Sequence, residues 1–224
     1  GHIFCMEEDA EHTLWIGTSM GLYRYKNGKI LAHYTSADSQ LPPGNVYEVF
    51  FDSTGKGWIC TENGLCLWDP SSRQLRTDAF PAGFIHNEKI RVVYEDSAHQ
   101  LYFFPDKGTL FISDLSMNHF HHLQPGTPLD GHDGMFIIED ADKCLWMGTT
   151  NGLFHYDKQD NFKPYGFVDG IPNPTFTLCP PVRDEQGNFW FGNMKGLLFL
   201  DTQRLKEEHR AGEAYHVRIT DVLV

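Results

Sequence analysis

One phrase recurs along this chain at an almost constant interval. "LWIGTSMGL" at Leu14, "GWICTENGL" at Gly57, "LYFFPDKGT" at Leu101, "LWMGTTNGL" at Leu145 and "FWFGNMKGL" at Phe189 align without gaps. Their second residues, Trp15, Trp58, Tyr102, Trp146 and Trp190, stand 43, 44, 44 and 44 residues apart. Six residues after each aromatic comes a glycine (Gly21, Gly64, Gly108, Gly152, Gly196), and six before it an aspartate (Asp9, Asp52, Asp96, Asp140, Asp184). Three residue types held in register through five copies define a repeat protein, in which like units bury their faces by stacking on one another.

Each unit reads as β structure. Short apolar segments ("IFCME", "VYEVFF", "IRVVYE", "MFIIE", "LCPPV") precede the aspartate. A polar turn, the aromatic strand, a glycine-containing turn and a third strand such as "GLYRY" or "GLFHY" follow. A weaker fourth segment then leads into a loop rich in Pro, Gly and Asn. Four short strands in about 44 residues predict an all-β fold, a β-propeller of five four-stranded blades cut from a larger propeller. No segment sustains helical apolar spacing across three turns. The WD-repeat alternative would need its Trp-Asp and Gly-His dipeptides in every copy, and Trp68-Asp69 and Gly131-His132 each occur once. The expected blades are residues 1–40, 41–83, 84–127, 128–171 and 172–212, with an exit strand over 213–224.

The repeated residues read as structural. A large aromatic supplies apolar area to the seam between blades. The glycine permits the positive backbone angle of a tight hairpin, and the aspartate hydrogen-bonds the backbone of the turn that follows it. Five cysteines (Cys5, Cys60, Cys66, Cys144, Cys179) show no ligand-like spacing and read as buried free thiols. A hairpin over Thr61–Gly64 would set Cys60 opposite Leu65 and turn Cys66 to the other face.

Charge narrows the partners. A formal net charge of -12 over 224 residues, with no basic stripe, argues against nucleic acid and against an anionic membrane surface. No apolar run approaches the roughly 20 residues that span a bilayer. No signal peptide is read at Gly1-His2-Ile3-Phe4, and the abrupt apolar start reads as a piece of something longer.

The pattern "D-x-x-G-x-L-W-I-G-T-x-x-G-L-x-x-Y" resembles the two-component regulator propeller repeat. Asp140 to Tyr156, "DADKCLWMGTTNGLFHY", is the closest copy, and Asp184 to Leu197 restores the turn glycine that it lacks. The resemblance covers residues 3 to 200 and implies the periplasmic sensor of a hybrid two-component system in polysaccharide-degrading bacteria. It also implies further blades, an immunoglobulin-like domain entered through "YHVRITDVLV", and a kinase outside this chain. Five blades alone leave two end faces uncovered, so they either close tightly on themselves or remain an open arc whose ends pack against another copy, and the wider ring of the family favours the self-associating arc.

Three functions are weighed. The resemblance favours a non-catalytic sensor module that recognises a glycan breakdown product, without cofactor. A structural or protein-interaction propeller is the alternative. A carbohydrate-active enzyme would need paired carboxylates or an arginine cluster on the central axis, and neither is repeat-locked. In antiparallel blades, loops from a fourth strand to the next first strand share one face with the second-to-third strand turns. Aromatic and planar polar side chains in those loops suit sugar rings and hydroxyls, which singles out Phe84, His86, Asn87, His132, Asp133, Asn173 and Phe176. "HFHH" (His119, His121, His122) reads as a solvated edge strand, and no metal site is expected.

Overall fold

The computed structural model describes residues 1–106, 109–123, 126–166, 171 and 175–202. Blade 1 consists of β1 (Ile3–Glu8), β2 (Leu14–Thr18), β3 (Gly21–Lys26) and β4 (Lys29–Tyr34). Blade 2 consists of β5 (Val46–Phe51), β6 (Gly57–Thr61), β7 (Gly64–Asp69) and β8 (Gln74–Arg76). Blade 3 follows with β9 (Ile90–Glu95), β10 (Gln100–Pro105), β11 (Phe111–Asp114) and β12 (Phe120–His122). Blade 4 holds β13 (Gly134–Glu139), β14 (Leu145–Thr149), β15 (Gly152–Tyr156) and β16 (Phe162–Tyr165). Blade 5 shows β17 (Val182–Arg183), β18 (Phe189–Asn193) and β19 (Gly196–Leu200) among the described residues. Every sheet is antiparallel with strands in chain order, so the fold is an all-β propeller repeat. Two compact units divide the chain, Gly1–Pro125 with blades 1 to 3 and Gly126–Val224 with blades 4 and 5. The expected exit strand over 213–224 lies outside the described residues.

The repeated aromatics sit where stacking needs them. Trp15, Trp58, Tyr102 and Trp146 are buried, and Trp190 is half-buried. Trp15 packs edge-on against Trp68 of blade 2 at 4.8 Å, and Trp58 against Phe103 of blade 3 at 5.1 Å. Trp146 joins Phe189, Phe191 and Leu198 of blade 5 in one core cluster. Burying one such ring removes roughly 200 Å² from water, on the order of 5 kcal/mol of transfer free energy.

The aspartate six residues earlier makes a clasp. Its Oδ1 accepts the N–H of the second and fourth residues after it: Thr54 and Lys56 on Asp52 at 2.9 and 3.1 Å, Ala98 and Gln100 on Asp96 at 2.9 and 2.8 Å. Its Oδ2 accepts from the aromatic, over 2.8 Å for Trp15 to Asp9, 2.9 Å for Trp58 to Asp52, 3.0 Å for Tyr102 to Asp96 and 3.0 Å for Trp146 to Asp140. Asp184 repeats the backbone pair with Gln186 and Asn188 and is hydrogen-bonded by Trp190. Tyr102 therefore replaces tryptophan by reaching the same oxygen with its hydroxyl.

Gly21, Gly64, Gly152 and Gly196 all have positive φ, while Gly108 lies outside the described residues. At Gly64 (φ +127°) a Cβ would also run into the His86 carbonyl, which accepts the Leu65 N–H at 2.7 Å. The Thr61–Gly64 hairpin sets Cys60 against Leu65 as expected. The thiols are free, but only Cys60 and Cys66 are buried. Cys5 is half-buried against the core cluster between blades 1 and 2, Cys144 is half-buried in the turn after Asp140, and Cys179 is exposed.

A feature absent from the sequence pattern is a β-bulge early in each of β1, β5, β9 and β13. The extra residues are Phe4, Tyr47, Arg91 and Met135. A bulge re-aims a side chain and strengthens the local twist.

Candidate ligand-binding face

One hydrogen bond recurs in all five blades at the end opposite the clasps. The residue opening each second-to-third strand turn donates its N–H to a carbonyl of the segment entering the first strand. The pairs are Ser19 to His2 (3.0 Å), Glu62 to Asn45 (2.9 Å), Asp106 to Lys89 (2.7 Å), Thr150 to Asp133 (3.1 Å) and Met194 to Thr175 (3.1 Å). Turns and inter-blade loops therefore share one face, as the antiparallel connections require.

On this face of the first unit the bulge residues meet. Phe4 packs edge-on to Tyr47 at 5.2 Å. Lys89 Nζ and Arg91 Cζ lie 5.2 and 5.7 Å from the Tyr47 ring. Asp106 pairs with Lys89 at 3.1 Å and Arg91 at 2.8 Å, all three side chains being no more than 25% exposed. Asn45 Nδ2 donates to the Tyr47 hydroxyl over 3.2 Å. Burial works to raise the Asp106 carboxyl, but Arg91 and Lys89 outweigh it and hold it below the usual carboxylate range. The cluster offers a ring, a planar guanidinium, an amide and a carboxylate together. A neighbouring cleft of about 150 Å³ opens between the Ser19-Met20 turn and the Thr35–Gly44 loop.

The sequence-derived residues divide by burial. Phe84 is buried among Trp58, Phe103 and Phe111, and Phe176 is buried between Phe136 and Phe191. Both rings belong to seams between blades and offer no open face to a sugar. His86 is half-buried, stacked on Phe80 at 5.4 Å, with Nδ1 3.0 Å from the Phe84 carbonyl. Asn87 beside it is exposed. His132 is half-buried and stacks on Phe154 at 5.9 Å, next to half-buried Asp133. Asn173 lies outside the described residues. Sequence reasoning missed Tyr47, Lys89, Arg91 and Asn45. Aligning the segments before each first strand would have shown Lys89 in register with Asn45, and Arg91 with Tyr47.

Between blades 2 and 3 the Val93 N–H donates to Glu48 Oε2 over 2.7 Å. Burial raises the Glu48 carboxyl to about 8 against that bond, and Glu7 adds to the rise. His119 Nδ1 lies 2.8 Å from Asp114 Oδ2, and His121 and His122 are exposed on the edge strand β12. Metal-type ligand atoms converge among the described residues at Asp140, Cys144 and His155, at the clasp end of blade 4. No helix among the described residues is long and apolar enough to cross a membrane.

No family model matches the chain. A histidine kinase, P4, of Formosa agariphila is 24% identical over 222 residues, covering 91% of this chain and 16% of its own length. The extracellular domain of the hybrid two-component system BT3049 of B. thetaiotaomicron superposes with a TM-score of 0.76 at 26% identity. That match covers 92% of this chain and 28% of that one. Virginiamycin B lyase of Staphylococcus aureus shares the fold at a TM-score of 0.67 and 15% identity, covering 90% of this chain and 67% of its own. The chain thus spans about a sixth of the kinase and under a third of the extracellular domain. Its five registered clasps and these superpositions make it similar to the extracellular propeller domains of hybrid two-component systems.

Proposed function

We propose that this chain is part of a non-catalytic, ligand-sensing propeller on the periplasmic side of a hybrid two-component sensor. It recognises a glycan breakdown product and relays binding to a kinase outside the chain. The observation that carries the reading is the recurrent pinning of variable loops onto the second-to-third strand turns, which gathers Tyr47, Arg91, Lys89, Asp106 and Asn45 on one face. Such a mixture suits the apolar ring face and the hydroxyls of a sugar. The repeated aspartates are engaged by turn N–H groups and by the aromatics, which leaves them poorly placed for acid–base work. The exposed Ile3 and Met6 of β1 fit a blade face that further blades or a second copy would cover.

Isothermal titration against a panel of oligosaccharides tests the sensor reading. Binding by the chain that weakens at least tenfold in Tyr47→Ala and in Arg91→Ala is the expected result. Binding unchanged in both variants, or no heat with any oligosaccharide, rejects this face as the sugar site. Light scattering across a concentration series tests the covering of β1, since a strictly monomeric 25.7 kDa species would exclude a second copy.

A further inference from the structure

The five clasps repeat, but the side chains around them do not. Four residues after the aspartate stand Thr13, Lys56, Gln100, Cys144 and Asn188. Opposite the repeated aromatic, on the third strand, stand Arg24, Leu67, Ile112, His155 and Phe199. Blade 4 alone combines a thiol at the first position with an imidazole at the second.

Both positions reach the clasp carboxylate. In blade 5, Asn188 Nδ2 donates to Asp184 Oδ2 over 3.2 Å. In blade 4, His155 Nε2 lies 3.2 Å from Asp140 Oδ2. Two ligands of one tetrahedral zinc ion, each at about 2.0–2.1 Å, lie roughly 3.3 Å apart, so this pair is already spaced for a shared ion. The ligand atoms of Asp140, Cys144 and His155 all lie within 4.8 Å of one another, and all three residues are half-buried. Cys144 Sγ makes a long contact to the Asp142 carbonyl at 3.9 Å.

The surroundings orient and charge the cluster. Asp140 Oδ1 is held by the N–H groups of Asp142 and Cys144 at 2.9 and 3.0 Å, and Trp146 Nε1 fixes one side of Oδ2. Such outer bonds orient a metal-binding carboxylate and leave a lone pair of Oδ2 directed at His155. Burial, with Asp140, Asp142 and Asp157, pushes the Cys144 thiol up to about 11, and Lys158 opposes that rise. Lys158 and Lys143 are drawn to Glu139, at 2.7 and 3.7 Å, rather than to Asp140.

We propose that Asp140, Cys144 and His155 form a three-ligand zinc site, with the fourth position left to water or an added ligand. Mixed S, N and O donors at this spacing suit Zn²⁺ better than the harder Mg²⁺ or Ca²⁺. Binding requires thiolate, so the Cys144 proton is released to solvent as the Zn–S bond forms. The inference is independent of the sensing reading, because the cluster lies at the clasp end of the blade.

The chelator-treated, untagged chain is titrated with Zn²⁺ and, for a spectrum, with Co²⁺. One equivalent is expected to bind, with a thiolate-to-Co²⁺ charge-transfer band in the near ultraviolet. Cys144→Asn and His155→Phe import blade 5's own residues and keep the Asp140 clasp, and each is expected to weaken Zn²⁺ at least tenfold. The double variant His121→Ala/His122→Ala is expected to bind as the unaltered chain does. Absence of stoichiometric Zn²⁺, a Co²⁺ complex without the thiolate band, or binding abolished by the His121/His122 change overturns the site. If a swap unfolds blade 4, the Co²⁺ spectrum of the unaltered chain decides alone.

Discussion

The two ends of each blade follow different rules. At the clasp end the same interactions appear five times, with an aspartate, two turn N–H groups and an aromatic donor, and even Tyr102 conforms. At the loop end the backbone hydrogen bond repeats in all five blades and a strand-end threonine donates to the turn glycine's carbonyl in blades 1, 2 and 4, while the bulge side chains change from Phe4 and Tyr47 to Arg91 and Met135. At the clasp end Asp52 and Asp96 are buried and Asp9 and Asp184 half-buried, and each holds both a turn and an aromatic that another side chain would release. The loop end is held by that backbone bond and, in blades 1, 2 and 4, by the strand-end threonine, which leaves its bulge and loop side chains free to differ.

The sharpest way to break this contrast is at Asp52, which is 4% exposed. Asp52→Ala strands the Thr54 and Lys56 N–H groups and Trp58 Nε1 beside a seam, and should cost about 3–5 kcal/mol in urea-induced unfolding. A loss under 1 kcal/mol would show that the clasps decorate the blades rather than hold them.

The next effect depends on pH. Glu48 is protonated more readily in the folded chain than in the unfolded one, since its carboxyl is raised from 4.5 to about 8. The folded state therefore holds the extra proton between those values, and stability should fall as pH rises from about 4.5 to 8. Glu48→Gln keeps an acceptor for the Val93 N–H and should be the more stable protein at pH 8 by about 1–4 kcal/mol, with little difference near pH 4.5. Parallel stability profiles for the two proteins would rule out Glu48 as the source.

Gly64 lies where the two ends differ in tolerance. Gly64→Ala must hold φ near +127° against the His86 carbonyl, and should lose about 1–3 kcal/mol. Gly28→Ala, also at positive φ but with open space around its Cβ, should lose less in the same thermal melts. Equal losses would mean that backbone strain alone sets the cost. The smallest effect belongs to the loop face: exposed Asn87→Ala should change stability by no more than about 0.5 kcal/mol. A larger shift in its melting curve would reveal a structural role for that loop.

Much of the clasp end was legible because its interactions are local. Aspartate, turn and aromatic fall within seven consecutive residues, so a fixed offset in sequence becomes a fixed distance in space. A second row of turn aspartates, Asp69, Asp114 and Asp157, carries the same signal more faintly. Each bonds nearby turn N–H groups, as Ser71 to Asp69 at 2.9 Å and Asn118 to Asp114 at 3.0 Å. The loop end was legible only as a location. Phe84 looks like an exposed aromatic in "FPAGFIHNEK", yet its loop folds back and places the ring against Trp58 and Phe111. Composition cannot separate a ring in a seam from a ring on a surface when both stand in polar loops.

The sequence by itself determined the period, the strand order within each blade, the glycine at the hairpin and the aspartate's bonds to the turn that follows it. These are contacts between residues few positions apart, and backbone stereochemistry translates them directly. Only the tertiary structure decided which side chains meet across blades. Tyr47 reaches Arg91 through bulges with no sequence mark, and Phe176 closes the Phe136–Phe191 seam. Those meetings depend on sheet twist and on the stacking of one blade upon the next, which link residues up to a whole repeat apart.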